Sequence, residues 1–173
     1  MAVETVREIE IPDMTVVRAY GFGDSPELSA SDLMRRFLTT VGWGAGELSG
    51  RRHFGFNNPD PSEGSPNYGY EMWLTVDDDF RLPDVSPEGI SVKRHEGGLF
   101  AGLQIRGIPD PTKWHEVVLW LNGSRYRYDQ SRQWLEELKL DEAGLGFVLG
   151  DEIDFDRLIF TLLSPIMAGG EPA

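Results

Sequence analysis

The hydrophobic pattern of the chain repeats at an offset of 84 residues. A strand pattern at residues 11–20 leads through a glycine turn into a helix whose apolar stripe includes Leu33 and Phe37. A second strand pattern at residues 95–105 leads into a helix whose stripe includes Val117 and Leu121. Apolar residues spaced three and four apart share one helix face. We therefore predict two copies of one strand–helix–strand unit, with a seam between them where a pocket can form.

The remaining pattern predicts further strands and the ends of the helices. Residues 68–76 alternate, with Glu71 and Trp73 on the face opposite the other side chains. Residues 3–17 read as a strand broken or bent at Pro12, because proline cannot donate to a strand ladder. Ser29 or Ser31 is expected to cap the first helix. The whole predicts an α+β fold, with about eight mostly antiparallel strands and two helices on one face.

The length of 173 residues predicts a single domain. We expect two pseudo-symmetric halves, about 3–78 and 88–166, joined by an acidic, proline-rich connection. Residues 168–173 are expected to form a frayed tail.

The composition of the chain limits the classes of binding partner that we expect. A net charge of −13 argues against direct nucleic-acid binding, which gains affinity by neutralising phosphates. The same charge suits cationic ligands, or it serves solubility alone. The chain contains no cysteine, no apolar run long enough to span a membrane and no signal-peptide pattern at its first residues, so we expect a cytoplasmic protein.

No cofactor or metal is expected. His53, His95 and His115 lack the spacing of metal ligands, and each is expected to make a local hydrogen bond instead.

Two glutamates are candidates for a binding site. Glu136 shares a strand face with Trp134 and Leu138, so its carboxylate either meets aromatic surroundings that select a cation or lies on an exposed edge strand. Glu71 shares a face with Trp73, and it either faces the same pocket or pairs across the sheet with Arg52, Arg94 or Arg106. If both carboxylates face the pocket, desolvation and mutual repulsion would leave one protonated and able to act as a general acid.

Aromatic residues supply candidate walls for this pocket. Trp73 and Trp134 are preferred because each shares a strand face with a candidate glutamate, and Phe56 and Tyr126 are further candidates. Trp114 and Trp120 lie on the second helix and read as packing residues.

Several segments, in this order, resemble the GyrI-like small-molecule-binding domain, the effector-binding domain of multidrug-responsive transcription regulators. They are REIEIPDM (7–14), YGYEMWLTV (68–76), GGLFA (97–101), WLEEL (134–138) and a closing strand with Pro165, and the likeness extends over residues 3–166. The resemblance implies a duplicated β-α-β-β unit that forms a curved antiparallel sheet, with a ligand cavity between the halves. It also implies that Glu136 matches the family's pocket glutamate.

The resemblance and the residues together predict a stand-alone protein that binds bulky, hydrophobic, cationic organic compounds in drug sensing or sequestration. Glu136, Glu71, Trp73 and Trp134 would form the site, and a regulatory role would need a separate protein partner. The first alternative is a hydrolase of cyclopropane-type genotoxins, with Glu71, Glu136 and Tyr70 as catalytic groups. The second is a protein partner of DNA gyrase.

Overall fold

The computed structural model describes residues 5–169, which fold into a nine-stranded open sheet with four α-helices. The first part of the chain contains β1 (Arg7–Ile11), β2 (Met14–Gly23), α1 (Pro26–Val41), α2 (Ala45–Leu48), β3 (His53–Asn57) and β4 (Tyr68–Val76). The second part contains β5 (Ile90–His95), β6 (Gly98–Arg106), α3 (Pro111–Asn122), β7 (Tyr126–Tyr128), β8 (Leu135–Leu138), α4 (Glu142–Leu149), a 3₁₀ turn (Phe155–Arg157) and β9 (Ile159–Ala168).

The strand order is symmetric about the middle of the sheet. The main path runs β1-β6-β9-β8-β3-β4-β2-β5, and every neighbouring pair is antiparallel. Exchanging each strand for its counterpart in the other part of the chain reproduces the same order in reverse. A pseudo-twofold axis therefore passes between β3 and β8, and β1 and β5 each pair with a strand from the other part.

This order corrects the predicted repeat unit. The pattern around Pro12 predicted a strand broken or bent there, and the structure has the break: β1 ends before the proline, and β2 begins two residues after it. β1 pairs with β6 and does not continue β2 along the sheet. The repeating unit is consequently β-β-α-β-β, and its first strand is exchanged between the two parts.

The helices pack on one face of the sheet, as predicted. α1 contacts β2 and β4, and α3 contacts β6 and β9. α1 begins at Pro26 with Ser25 at the N-cap, so the predicted caps Ser29 and Ser31 lie inside the helix. Proline favours the first helical position because its fixed φ suits a helix and its missing N–H would have no partner there.

Two helices were not predicted. α2 is a single turn, and α4 contains Gly144 and Gly146, whose low helix propensity masks the pattern. Gly144 permits a close approach, because a Cβ there would collide with the carbonyl of Lys139. α4 packs against α1 and closes one side of the space above the sheet.

Apolar residues are buried on both faces of the sheet. One cluster packs beneath α1 and α4 and a second beneath α3. A third cluster, which includes Phe54, Trp73 and Phe100, lies on the face away from the helices. No helix within residues 5–169 is both long and apolar enough to cross a membrane. β9 extends to Ala168, and the rest of the predicted tail, from residue 170, lies outside the described residues.

Candidate ligand-binding cleft

A cleft opens on the helix-bearing face, above β3 and β8, where the pseudo-twofold axis crosses the sheet. It has two adjoining chambers of about 270 and 350 Å³. Asn57, Tyr70 and Glu136 line both of them. Ligand pockets in proteins are typically about 300–1,000 Å³, so the two chambers together have the size of a small-molecule site.

The strand register places Glu136 on the floor of the cleft. Residues directly opposite each other on neighbouring strands point to the same face of a sheet. Glu136 lies opposite Gly55 of β3, and Gly55 lies opposite Met72, which packs beneath α1. The Glu136 side chain is therefore on the helix-bearing face, next to the pseudo-twofold axis.

Glu136 is a half-buried carboxylate without a cationic partner. Its hydrogen bond comes from Trp114 Nε1, at 3.3 Å. Among the described residues, no lysine or arginine forms an ion pair with it. Burial raises the pKa of Glu136, the Trp114 hydrogen bond lowers it, and the negative charge of Glu27 raises it further.

Tyr70 stands beside Glu136 because Gly55 leaves room for it. A Cβ at position 55 would collide with the Tyr70 hydroxyl. Burial raises the pKa of Tyr70 well above its usual value, and the charges of Glu136 and Glu27 add to the effect. Tyr70 therefore stays protonated and can donate a hydrogen bond inside the cleft.

The chamber on the α3 side is called the aromatic chamber. Its walls include Trp114 and Trp134 in addition to the three shared residues. The rings of Trp114 and Trp134 are tilted against each other with centroids 4.8 Å apart, and Tyr128 supports Trp134 from behind at 5.5 Å. Glu136 thus lies beside two indoles, a combination that attracts organic cations by charge and by cation–π contact.

The chamber on the α1 side is called the apolar chamber. Most of its wall is hydrophobic: Leu28, Met72, Ile108, Leu138, Phe147, Leu158 and Phe160. Three polar residues of the wall are Glu27, Arg35 and His53. Glu27 accepts hydrogen bonds from the Tyr68 hydroxyl at 2.7 and 2.8 Å, and these bonds, with burial and the charge of Glu27, raise the pKa of Tyr68 to about 12.

The guanidinium of Arg35 is committed to neighbouring groups. It donates to the backbone carbonyls of Phe147 and Val148 at the end of α4, and its Nη1 pairs with Asp32 at 3.3 Å. Arg35 therefore ties α4 to α1, and most of its hydrogen-bonding capacity is used in doing so.

Glu71 does not lie in the cleft. It stands opposite Phe56 and Tyr20 on the other face of the sheet and is 2% exposed. Its carboxylate pairs with Arg18 at 3.0 Å and with Lys93 at 3.1 Å.

Hydrogen bonds hold Glu71 in its ionised form. Asn58 Nδ2 donates to it at 2.8 Å and Trp73 Nε1 at 2.7 Å. Burial alone would raise the pKa of Glu71, but the hydrogen bonds from Asn58 and Trp73 and the charge of Lys93 outweigh it, and the pKa is lowered. The structure therefore separates Glu71 from Glu136, and it pairs Glu71 with cations other than the arginines considered from the sequence.

Two of the predicted aromatic walls also lie elsewhere. Trp73 is 1% exposed, beneath Lys93 on the same far face as Glu71. Tyr126 stacks against Trp120 with centroids 6.2 Å apart and lines neither chamber. Phe56 borders the aromatic chamber, but its ring packs edge-on against Trp73 on the far face, with centroids 4.8 Å apart. Trp134, Tyr70 and Glu136 are the predicted site residues whose side chains the structure brings together.

Sequence reasoning missed several residues of the cleft. Trp114 was expected to be a packing residue, but it lines the aromatic chamber and donates to Glu136. Glu27, in the first turn of α1, takes the place expected for Glu71 as the second carboxylate. The position of Glu27 before an apolar stripe indicates the start of a helix. That pattern does not indicate that this end of the helix faces the cleft.

The structure also differs from the prediction for His53. His53 was expected to make a local hydrogen bond, yet both of its ring nitrogens are buried without a partner among the described residues. Within residues 5–169, no group of three or more histidine, aspartate or glutamate side chains is arranged to hold a metal ion.

Several solved structures share this fold. The chain matches the EcmrR C-terminal domain over 96% of its own length and 99% of that domain, with a TM-score of 0.68 and 12% identity. In an EcmrR–DNA complex it matches 59% of the EcmrR chain, with a TM-score of 0.68 and 14% identity.

Two other proteins are similar over almost their whole length. A hydrolase from Listeria innocua matches over 95% of this chain and 92% of its own, with a TM-score of 0.62 and 15% identity. SAV2435 bound to tetraphenylphosphonium matches over 94% of each chain, with a TM-score of 0.50 and 12% identity.

No family model and no curated protein matches the chain in sequence. At these identities the likeness is one of fold. That fold is the one expected from the sequence segments: the chain adopts the fold of the GyrI-like effector-binding domains.

Proposed function

We propose that the protein binds bulky, hydrophobic organic cations in the cleft between α1 and α3. The observation that carries this proposal is the state of Glu136, a half-buried carboxylate that faces two indoles and has no cationic partner among the described residues. A buried charge is costly unless something pairs with it. A cationic ligand would supply the missing partner.

The rest of the cleft supports the same class of ligand. Glu27 and Asp60 add negative charge around the two chambers, and the main cation in the wall, Arg35, is already engaged. The indoles of Trp114 and Trp134 offer flat faces beside Glu136. Cation–π attraction contributes about 0.5–2 kcal/mol per contact, and burial of aromatic groups adds more.

Tetraphenylphosphonium is the probe of choice, because a protein of the same fold is seen bound to it. Saturable binding at micromolar concentration is expected, with quenching of tryptophan fluorescence through Trp114 and Trp134. Absence of any saturable change up to millimolar concentration would contradict the proposal.

The biological role that follows is sensing or sequestration of toxic organic cations in the cytoplasm. A role in transcription would act through a DNA-binding partner, since the charge of −13 disfavours direct contact with nucleic acid.

Hydrolysis is the second candidate, favoured by the adjacency of Tyr70 and Glu136 in the cleft. Glu136 could activate a water molecule and the Tyr70 hydroxyl could protonate the leaving group. A protein of the same fold is described as a hydrolase. Turnover of a cyclopropane-bearing electrophile that is lost in Glu136→Gln would support this activity, and stoichiometric protection without turnover would exclude it for that substrate.

A further inference from the structure

Glu27 is a second carboxylate of the cleft that has no cationic partner. It lies in the first turn of α1 and lines the apolar chamber. Its two oxygens accept hydrogen bonds from the Tyr68 hydroxyl, at 2.7 and 2.8 Å. Among the described residues it forms no ion pair with a lysine, an arginine or a histidine. The Tyr68 hydroxyl is neutral and the N-terminus of α1 has only about half a positive charge, so part of the negative charge of Glu27 remains uncompensated.

Glu27 lies at the mouth of the apolar chamber, whereas Glu136 lies on the floor of the cleft. Leu28 and Ile108 line the same chamber and are 68% and 61% exposed, so they mark where it opens to solvent. Glu27 precedes Leu28 in α1 and is half-buried. A charged group held at Glu27 would therefore keep part of its hydration and would avoid most of the cost of burying a charge.

The two carboxylates act on each other. The negative charge of Glu27 raises the pKa of Glu136, so a single cation bound at Glu136 leaves one of two mutually repelling groups without a partner. Arg35 is the basic residue of the same wall, but it pairs with Asp32 at 3.3 Å and donates to two backbone carbonyls at the end of α4. A second positive charge in this chamber would therefore meet a carboxylate that no other cation holds.

The chamber that joins the two carboxylates has a hydrophobic wall. Met72, Leu138 and Phe160 are part of it, and Glu136 lines this chamber as well as the aromatic one. A ligand whose first charge lies beside Glu136 can consequently extend an apolar arm along this wall towards the mouth. Lysine and arginine side chains follow the same rule when their apolar stems cover hydrophobic surface and their charged ends stay in water.

We infer that the preferred ligand is a hydrophobic dication, with one charge at Glu136, the second at Glu27 and an apolar linker in the apolar chamber. The inference rests on the proposed function and makes it more specific. Asp60 is the competing partner for the second charge, because it is exposed and lines the aromatic chamber. The hydrophobic wall favours the path to Glu27, since an apolar linker gains most where it is surrounded by apolar side chains.

Two phosphonium probes test the second subsite: octyltriphenylphosphonium, and the same compound with a trimethylammonium group at the end of its octyl chain. Their affinities are measured by calorimetry at neutral pH and low salt. The dication should bind about fivefold more tightly than the monocation, the upper range for an ion pair that stays partly exposed. This advantage should shrink as salt is added, because ions screen a charge pair at the mouth of a cleft.

Glu27→Gln removes the charge of the second subsite and can still accept a hydrogen bond from Tyr68. It should abolish the advantage of the dication, while the affinity for the monocation stays within about threefold of wild type and shows that the site is intact. Asp24→Asn and Asp60→Asn are the matched controls, because each removes one negative charge. Asp24 is exposed beside α1 and lines neither chamber, and Asp60 lines the other chamber. Both controls should leave the ratio of the two affinities unchanged.

The outcomes separate the two proposals. If neither probe binds, the proposed function fails and the second subsite falls with it. If the monocation binds and the dication binds no more tightly, or keeps its advantage in Glu27→Gln, the cation site stands and the second subsite is refuted. Loss of the advantage in Asp60→Asn would place the second charge in the aromatic chamber, and an equal loss in Asp24→Asn would assign it to the overall charge of the protein. Either result would overturn the inference.

Discussion

Replacing Glu136 by glutamine is expected to weaken tetraphenylphosphonium binding by about 1–3 kcal/mol, because a charged partner is lost from a partly desolvated site. Glutamine keeps the size of the side chain and can still accept a hydrogen bond from Trp114 Nε1. The loss of affinity should therefore result from the missing charge and not from a change in the shape of the site. Calorimetric titration of both proteins at low salt measures it.

Glu137→Gln is the matched control for this experiment. Glu137 is the next residue of β8, but it faces the other side of the sheet, where Arg52 pairs with it at 2.7 and 2.8 Å. Its replacement should leave ligand affinity unchanged. Equal losses in both variants, or an unchanged affinity in Glu136→Gln, would remove Glu136 from the site.

The stability of Glu136→Gln should change in the opposite direction to its affinity. Burial raises the pKa of Glu136 above its value in the unfolded chain. The folded state then disfavours the ionised carboxylate, so Glu136 reduces stability at neutral pH, and this cost disappears as the pH falls through the raised pKa. The ligand-free variant should gain about 0.5–2 kcal/mol at neutral pH, the usual gain when a destabilising functional group is removed. Urea denaturation in neutral and mildly acidic buffer measures the gain and its decline.

Replacing Glu71 by alanine is expected to destabilise the fold by about 2–4 kcal/mol without changing ligand affinity. Removal of one member of a buried ion pair leaves its partners uncompensated, which typically costs about 3–5 kcal/mol. Arg18 and Lys93 keep 25% and 36% of their side chains exposed, so water offsets part of that cost. The substitution also leaves the indole N–H of Trp73 without its acceptor.

The pH dependence of this effect has a definite sign. The pKa of Glu71 is lower in the folded protein, so its contribution is present at neutral pH and is lost as the pH falls through that pKa. The difference between wild type and variant should therefore shrink in acid. Glu116→Ala, which removes an exposed pair with Lys113, should cost less than about 0.5 kcal/mol. A folded Glu71→Ala protein with lost ligand affinity would contradict the assignment of Glu71 to the far face.

The sequence was sufficient to predict which residues share a face within one strand. Its alternation placed Glu71 with Trp73, and the structure has both on one side of β4. What it lacked was the register between strands far apart in the chain. Glu136 joins the face of Met72 only through its pairing with Gly55, and nothing local to either strand specifies that pairing. The separation of the two glutamates could not be predicted for this reason.

The exchanged strands illustrate the same limit. β1 and β2 are separated by two residues, so their local pattern suggests a continuous strand or a hairpin. Their pairing with β6 and β5 instead is a long-range property of the symmetric sheet. The duplication itself could be predicted from the sequence, because the elements β1, β2 and α1 recur at the predicted spacing as β5, β6 and α3.

Helical residues of the site were hidden for a different reason. The apolar stripe of a helix identifies the face that packs on the sheet, and Trp114 fits that stripe as well as it fits a cleft wall. Glu27 reads as an ordinary acidic residue in a first helical turn. Their roles depend on where the helix ends lie relative to β3 and β8.

The central claim is that the cleft selects organic cations by their charge. Two ligands of the same shape and opposite charge test it most directly. Tetraphenylphosphonium and tetraphenylborate have nearly the same size and the same four phenyl groups, but opposite charge. Calorimetry on the wild-type protein should find saturable binding of the phosphonium and at least about 100-fold weaker binding of the borate, because Glu136 and Glu27 repel an anion in this cleft. Equal affinity for the two ions, or tighter binding of the borate, would contradict the account.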